Sequence, residues 1–175
     1  MSKIDYDLTK IKGIVFDVDG VLSPSTLPLD DDGHPRRMGN VKDGYAMQLA
    51  VKSGLKLAVI TGGFSAPVAA RMKLLGIDAY YENVADKLPV LKSWMERESL
   101  LPEEVAYMGD DIPDLRCLRY VGLPTAPYDA AWEVKSESLY ISKFSGGYGA
   151  ARDLIEQVMK ARGLWSANEE KAYKW

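Results

Sequence analysis

The sequence predicts an α/β protein, a three-layer Rossmann-like sandwich on a mainly parallel sheet, with a projecting β-hairpin. Three observations predict it. Apolar, β-branched-rich runs at residues 14–16, 55–60 and 105–108 stop abruptly at Asp17, Thr61 and Gly109, as strands buried on both faces of a parallel sheet do. Segments of helical spacing, closed by Gly54 and Gly76, lie between such runs. Strands and helices alternate along the chain, which favours one parallel sheet covered on both sides.

Taken in order, residues 1–12 are polar and are expected to form a loose arm leading into the first strand. The stretch 21–38 carries Pro24, Pro28, Pro35 and the turn Asp30-Asp31-Asp32-Gly33, too many breakers for a helix. It predicts a β-hairpin of 26–29 against 35–38, projecting from the sheet within residues 23–38 or so. Residues 42–53 read as a helix, 55–60 as the second strand, and 65–75 as a helix with Pro67 in its first turn. A short strand at 77–81, a helix at 86–98 and a strand at 105–108 follow. A helix from 112 or 113 to 120, a strand near 121–125, a helical turn at 130–135 and a strand at 139–141 come next. The glycine-rich segment Gly146-Gly147-Tyr148-Gly149 precedes an amphipathic helix at 150–162, and the tail 163–175 is polar, carries two tryptophans, and is expected to be mobile or to dock on a neighbour.

Composition narrows the function classes. A chain of 175 residues, 47% hydrophobic and 27% charged, fits one globular domain spanning 1–175. A net charge of −3 gives no basic footprint, so nucleic acid is not an expected partner, whereas a small anionic substrate is compatible. Cys117 stands alone, which excludes a disulfide framework and a cysteine zinc cluster. Without a signal-like apolar segment or a bilayer-long run, the expectation is a cytoplasmic protein with no membrane partner. His34, the single histidine, falls in the hairpin turn and is expected to be exposed; Cys117 is expected to pack. The scattered Trp94, Trp132, Trp165 and Trp175 suit packing or an interface better than a stacking platform for nucleic acid.

The residues at the strand ends carry the chemistry. Asp17 and Asp19 fall at the carboxyl end of the first strand, where ligands of such sheets gather. Unit charges about 4 Å apart repel by roughly 4 kcal/mol at an effective dielectric near 20, so something positive is expected there. A carboxylate needs no base to attack phosphorus, which makes Asp17 a candidate nucleophile. Asp19, freed from the strand by Gly20, can give a proton to a leaving alcohol and take one from water. The same pair also suits an ordinary strand-end turn. Thr61, with the amides of Gly62 and Gly63, offers donors to phosphoryl oxygens at a helix start, although Thr-Gly-Gly alone is usually just a turn. Lys87 can neutralise phosphoryl charge, although most such lysines are simply solvated. Asp110, Asp111 and Asp114 add hard oxygen donors that suit Mg²⁺; helix capping is the alternative for Asp111 to Asp114, and for Asp114 it accounts for the residue equally well.

As an ordered set, Asp17-Val18-Asp19-Gly20-Val21, Thr61, Lys87 and Gly109-Asp110-Asp111-Ile112-Pro113-Asp114 resemble the four motifs of the haloacid dehalogenase superfamily of phosphatases. The resemblance implies Asp17 as nucleophile, Asp19 as general acid and base, and Thr61 and Lys87 as phosphate stabilisers. It also implies Mg²⁺ held by Asp17, the Asp19 carbonyl and Asp110, with Asp111 and Asp114 behind them. The gaps between motifs leave no room for a cap. Within the superfamily the chain is most similar to the capless family acting on 3-deoxy-D-manno-octulosonate 8-phosphate, an intermediate of lipopolysaccharide sugar synthesis. Residues 41–45 and 146–150 resemble that family's own segments, and Arg71 falls where the family places a substrate-contacting arginine. The resemblance implies a phosphorylated sugar-acid substrate bound by Thr61, Gly62, Gly63, Arg71 and Lys87, and a homo-oligomer, a tetramer, in which neighbouring subunits close the open site. Gly63 stands where that family commonly has arginine and a nine-carbon relative has glutamate, and Tyr148 replaces a frequent arginine. Three other readings stay open at this point: a phosphatase for a nonulosonate 9-phosphate or another sugar phosphate, a phospho-accepting receiver, and a non-catalytic scaffold.

Overall fold

The computed structural model describes residues 4–165. Six strands form one sheet: β1 (Gly13–Phe16), β2 (Lys56–Ile60), β3 (Ala79–Tyr81), β4 (Val105–Met108), β5 (Leu123–Ala126) and β6 (Tyr140–Ile141). Their order is β3-β2-β1-β4-β5-β6, and every neighbouring pair is parallel. The chain therefore walks outward from β1 to β3, returns beside β1 as β4, and walks out the other way. Such a reversal opens a crevice at the carboxyl ends of the two central strands. Asp17 directly follows β1, and Gly109 and Asp110 directly follow β4.

Side chains alternate between the two faces of a strand, and each face has its own apolar layer. Ile14 and Phe16 pack with Met47 and Ala50 of α1 (Val41–Lys52), Met72 of α2 (Ala66–Leu74) and Leu154, Ile155 and Val158 of α6 (Ala150–Ala161). Val15 packs on the opposite side with Leu91 and Trp94 of α3 (Lys87–Arg97), Cys117 and Leu118 of α4 (Leu115–Leu118) and Val134 of α5 (Trp132–Glu137). Cys117 is fully buried, and His34 is exposed. The apolar runs end where this two-sided burial ends.

Helix starts follow local chemistry. The Asn40 side chain accepts from the amides of Lys42 and Asp43 at 2.8 and 3.3 Å to begin α1, and Asp86 accepts from Leu88 N to begin α3. Gly149 precedes α6 and has no side chain to cap it. The cap comes from another helix: Arg152 N donates to Asp43 Oδ1 of α1 at 2.8 Å.

Three expectations are corrected, and a fourth, on the tail, falls mostly outside the described residues. The arm at residues 1–12 is not loose within the described part: Ile4 and Ile11 are buried, Tyr6 Oη donates to Glu103 O at 2.6 Å, and residues Leu8–Lys10 form a 3₁₀ turn. The hairpin is reduced to a single antiparallel bridge, Leu29 to Pro35, with Asp30 N donating to His34 O at 2.9 Å. Pro28 and Pro35 lack the amides a longer ladder needs. The helix expected over 112–120 divides into a 3₁₀ turn, Ile112–Asp114, and the short α4, because the Asp114 side chain turns back to the amides of Asp110 and Asp111. In the tail, Trp165 lies against the Arg152 guanidinium, 4.9 Å from the ring centroid, and residues from Ser166 on, including Trp175, fall outside the described part.

Burial raises the Asp43 carboxyl to about 6, against the opposing pull of the Arg152 amide and guanidinium. The folded chain therefore keeps a proton that the unfolded chain has lost, so this group makes stability fall as pH rises from about 4 to about 6, by up to about 3 kcal/mol. Asp43→Asn, which keeps an oxygen for Arg152 N, is expected to remove that decline. Urea denaturation at pH 4, 5, 6 and 7 checks it: the wild-type midpoint falls more steeply across the interval than the variant's.

Candidate active site

The loop after β1 is shaped by backbone bonds. Asp17 N donates to Met108 O at 3.1 Å, tying it to β4, and Val18 O accepts from the amides of Val21, Leu22 and Ser23. The turn passes through Gly20 at φ +78°, and a Cβ there would lie 1.8 Å from Asp110 Oδ2. Only glycine lets the Asp110 carboxylate come over this loop. The glycine-rich segment braces the same loop from behind: Gly147 N donates to Val21 O at 2.7 Å, and a Cβ on Gly146 would lie 1.8 Å from Gly20 O.

A recess of about 480 Å³ opens above these loops, lined by Asp17, Asp19, Thr61, Gly62, Gly63, Lys87, Asp110, Asp111 and Asp114, with Ser25 at its edge. Lys87, at the first position of α3, is 5% exposed and bridges Asp17 Oδ2 at 2.7 Å and Asp114 Oδ1 at 2.8 Å. Asp114 is fully committed. Its Oδ1 also accepts from Tyr107 Oη at 2.7 Å, and its Oδ2 accepts from Asp110 N at 3.1 Å, with Asp111 N at 3.5 Å. Asp111 faces outward and caps Ile112 N.

Burial, reinforced by the charge of Asp114, raises Asp17 to about 7 despite Lys87. Burial, reinforced by Asp17, Asp114 and Asp111, raises Asp110 to about 8. Burial alone would lower Lys87, but Asp114 and Asp17 outweigh it and hold the ammonium charged. The cluster has more negative charge than one lysine neutralises. Oxygen atoms of Asp17, Asp110 and Asp114 lie within 4.8 Å of one another, a spacing and donor set that fit a hard divalent cation. Asp114 already serves four donors, so Asp17 and Asp110 are the carboxylates left to meet such an ion.

Thr61 is buried at the end of β2; its Oγ1 accepts from Gly63 N at 3.2 Å, and its hydroxyl proton remains to donate into the recess. Asp19 stands at the rim, held by both nitrogens of an arginine fork: Arg37 Nε to Oδ1 and Nη2 to Oδ2, each 2.9 Å. The sequence reading missed Arg37, and the paired Arg36-Arg37 on the returning arm of the turn was its one trace. Tyr107, inside an apolar strand, gave no signal. Arg71 lies apart from the carboxylates, in an adjoining recess of about 240 Å³ that it shares with Arg37 and Met38. A larger recess, about 690 Å³, lies at the N-termini of α1 and α6 and holds none of the strand-end carboxylates.

A parallel α/β sheet with an Asp-x-Asp loop after its first strand, a threonine after its second, and a lysine braced against the acidic loop after β4 defines a phosphatase of the haloacid dehalogenase type. No family model matches the chain. The 3-deoxy-D-manno-octulosonate 8-phosphate phosphatase KdsC of Escherichia coli K12 is 34% identical over 153 residues, covering 87% of this chain and 81% of that protein. A haloacid dehalogenase superfamily hydrolase of subfamily III A from Legionella pneumophila superposes with a TM-score of 0.86 at 34% identity, over 95% of this chain and 89% of that one. The 3-deoxy-D-manno-octulosonate 8-phosphate phosphatase of Moraxella catarrhalis, solved with magnesium, phosphate and the sugar acid KDO, gives a TM-score of 0.87 at 34% identity, covering 92% of each chain. The chain belongs to this family of phosphatases, the KdsC family of the haloacid dehalogenase superfamily.

Lys87→Met leaves two buried carboxylates facing each other without their cation, a loss of about 3–5 kcal/mol for a broken buried pair. The urea midpoint is expected to fall accordingly in metal-free buffer at pH 8, and to fall less at pH 5, where protonation of Asp17 relieves the repulsion. An equal fall at both pH values would contradict the assignment.

Proposed function

We propose that the protein is a Mg²⁺-dependent phosphomonoesterase that works through an aspartyl phosphate on Asp17 and releases phosphate from 3-deoxy-D-manno-octulosonate 8-phosphate, leaving the free sugar acid. The observation that carries the chemistry is the meeting of Asp17, Asp19, Thr61, Lys87 and Asp110 around one recess at the β1/β4 crevice. The substrate rests on the relatives' names and on the KDO molecule bound by the Moraxella catarrhalis enzyme.

Asp17, Asp110 and the carbonyl of Asp19 are the groups that would hold Mg²⁺. When bound there, the ion would neutralise charge on Asp17 and on the phosphoryl group. An Asp17 oxygen attacks phosphorus in line with the ester bond. That bond breaks with its electron pair on the alcohol oxygen, which takes a proton from Asp19. Asp19 then takes a proton from water as the water oxygen bonds to phosphorus and the Asp17 link breaks. The Thr61 hydroxyl, the amides of Gly62 and Gly63, and the Lys87 ammonium hold the phosphoryl oxygens. Lys87 also keeps Asp17 aimed. Asp111 and Asp114 act through the backbone and through Lys87, and Arg71 is assigned to the sugar-acid end of the substrate, reached from the adjoining recess.

The chain is taken to be a single hydrolase domain, cytoplasmic and homo-oligomeric, a tetramer by resemblance, because the recess has no cap to exclude water. Among the described residues no helix is long and apolar enough to cross a membrane. Light scattering after size exclusion reads the oligomer directly, and a monomer with full sugar selectivity would refute it.

Asp17→Asn is expected to abolish phosphate release while leaving circular dichroism unchanged. A panel of 3-deoxy-D-manno-octulosonate 8-phosphate, a nonulosonate 9-phosphate and hexose phosphates, each with Mg²⁺ and with chelator, tests the substrate. The octulosonate phosphate should be preferred and the chelator should silence it. Preference for another sugar would leave the chemistry and remove the substrate assignment.

A further inference from the structure

Residues 31–39 are exposed or nearly so, yet one side chain among them turns inward: Arg37, whose guanidinium and stem are 8% exposed. Its placement is not that of a loose surface arginine. Met38 N donates to Ser23 Oγ at 2.9 Å and Arg36 N donates to Pro28 O at 2.9 Å, so the backbone on both sides is fixed. The guanidinium then spends three donors at once, two on Asp19 and one, Nη1, on Phe64 O at 2.9 Å.

The space it occupies is the space of a missing side chain. A Cβ on Gly63 would lie 2.4 Å from Arg37 Nη2, 3.2 Å from its Cζ and 3.4 Å from Asp19 Oδ2. Gly63 has no positive φ that would call for glycine on backbone grounds. Any larger residue there displaces the fork from Asp19.

We propose that Arg37 is a positioning residue for the leaving-group step, its fork fixing the Asp19 carboxyl at the rim of the recess, with Gly63 kept bare to admit it. The proposal rests on the phosphatase reading above. As the ester oxygen departs with its electron pair and takes the Asp19 proton, the two-point contact of Arg37 keeps the Asp19 carboxyl aimed at it. The same contact holds that carboxylate in place to accept the proton of the incoming water. The effect should scale with how much the leaving oxygen needs a proton.

Two substrates separate this role from a merely structural one. The sugar phosphate leaves as an alkoxide unless protonated, whereas p-nitrophenyl phosphate leaves as a stable phenolate. Values of kcat/KM cover only the steps up to release of that group. Arg37→Ala is expected to lower kcat/KM by about 10²-fold on 3-deoxy-D-manno-octulosonate 8-phosphate, the range of general acid catalysis, and by only about threefold on p-nitrophenyl phosphate. Arg37→Lys should recover part of the loss. Gly63→Ala should show the same selectivity, and the double variant Arg37→Ala/Gly63→Ala should be no worse than Arg37→Ala alone. Equal losses on both substrates, or independent losses that multiply in the double variant, would overturn the proposal. If Arg37→Ala does not fold by circular dichroism, Gly63→Ala carries the same comparison. If the wild type spares the octulosonate phosphate but hydrolyses a hexose phosphate, the substrate reading fails and the comparison is made on that ester. If it hydrolyses only the aryl phosphate, both readings fall.

Discussion

Lys87 holds Asp17 and Asp114 together at 2.7 and 2.8 Å in a recess where the two buried carboxylates would otherwise face each other without a cation, and the rest of the site is arranged around that bridge. Two buried carboxylates cost several kcal/mol unless a cation lies between them. The sheet supplies the positions, since β1 and β4 are neighbours whose carboxyl ends open side by side. α3 supplies the ammonium, because Lys87 is its first residue and Trp94 and Leu91 seat the helix on the sheet face that Val15 also covers. Stability and chemistry are coupled here.

Asp114 shows how that coupling is built. It lies in no strand and touches nothing outside the protein, yet it accepts from Lys87, from Tyr107 and from the amide of Asp110. It thereby fixes the lysine on one side and the backbone of the Asp110 loop on the other. The consequence is a division of labour among acidic residues that look alike. Asp114 is spent on structure, Asp111 caps a turn in solvent, and Asp17 and Asp110 keep raised carboxyl pKa values because burial and the charge of neighbouring carboxylates outweigh Lys87. A divalent cation relieves both.

The loops are glycine-rich for steric reasons that differ from one position to the next. Gly20 yields to the Asp110 carboxylate, Gly146 to the backbone of Gly20, and Gly63 to the guanidinium of Arg37. Each is a close approach, and together they bring four separate segments to one recess without a cap domain.

The apolar runs and their acidic or glycine endings determined, from the sequence alone, the parallel sheet, the alternation of layers and the presence of Asp17, Asp19, Thr61 and Asp110 at strand ends. Burial on two faces writes itself into every residue of a strand, so periodicity makes it legible. Lys87 was legible as a charge at a helix start, but its bridge to Asp17 and Asp114 depends on how α3 lies on the sheet. What only the tertiary structure decided are contacts between residues distant in sequence. These include Arg37 on Asp19, Tyr107 on Asp114, Asp43 capping α6, and the packing of Ile4 and Ile11 that turned an expected loose arm into part of the core. Such contacts arise from which loops the strand order brings together, and no local pattern in the chain encodes that proximity. The separation of Arg71 from the carboxylates is of the same kind, because helix α2 places it in the adjoining recess.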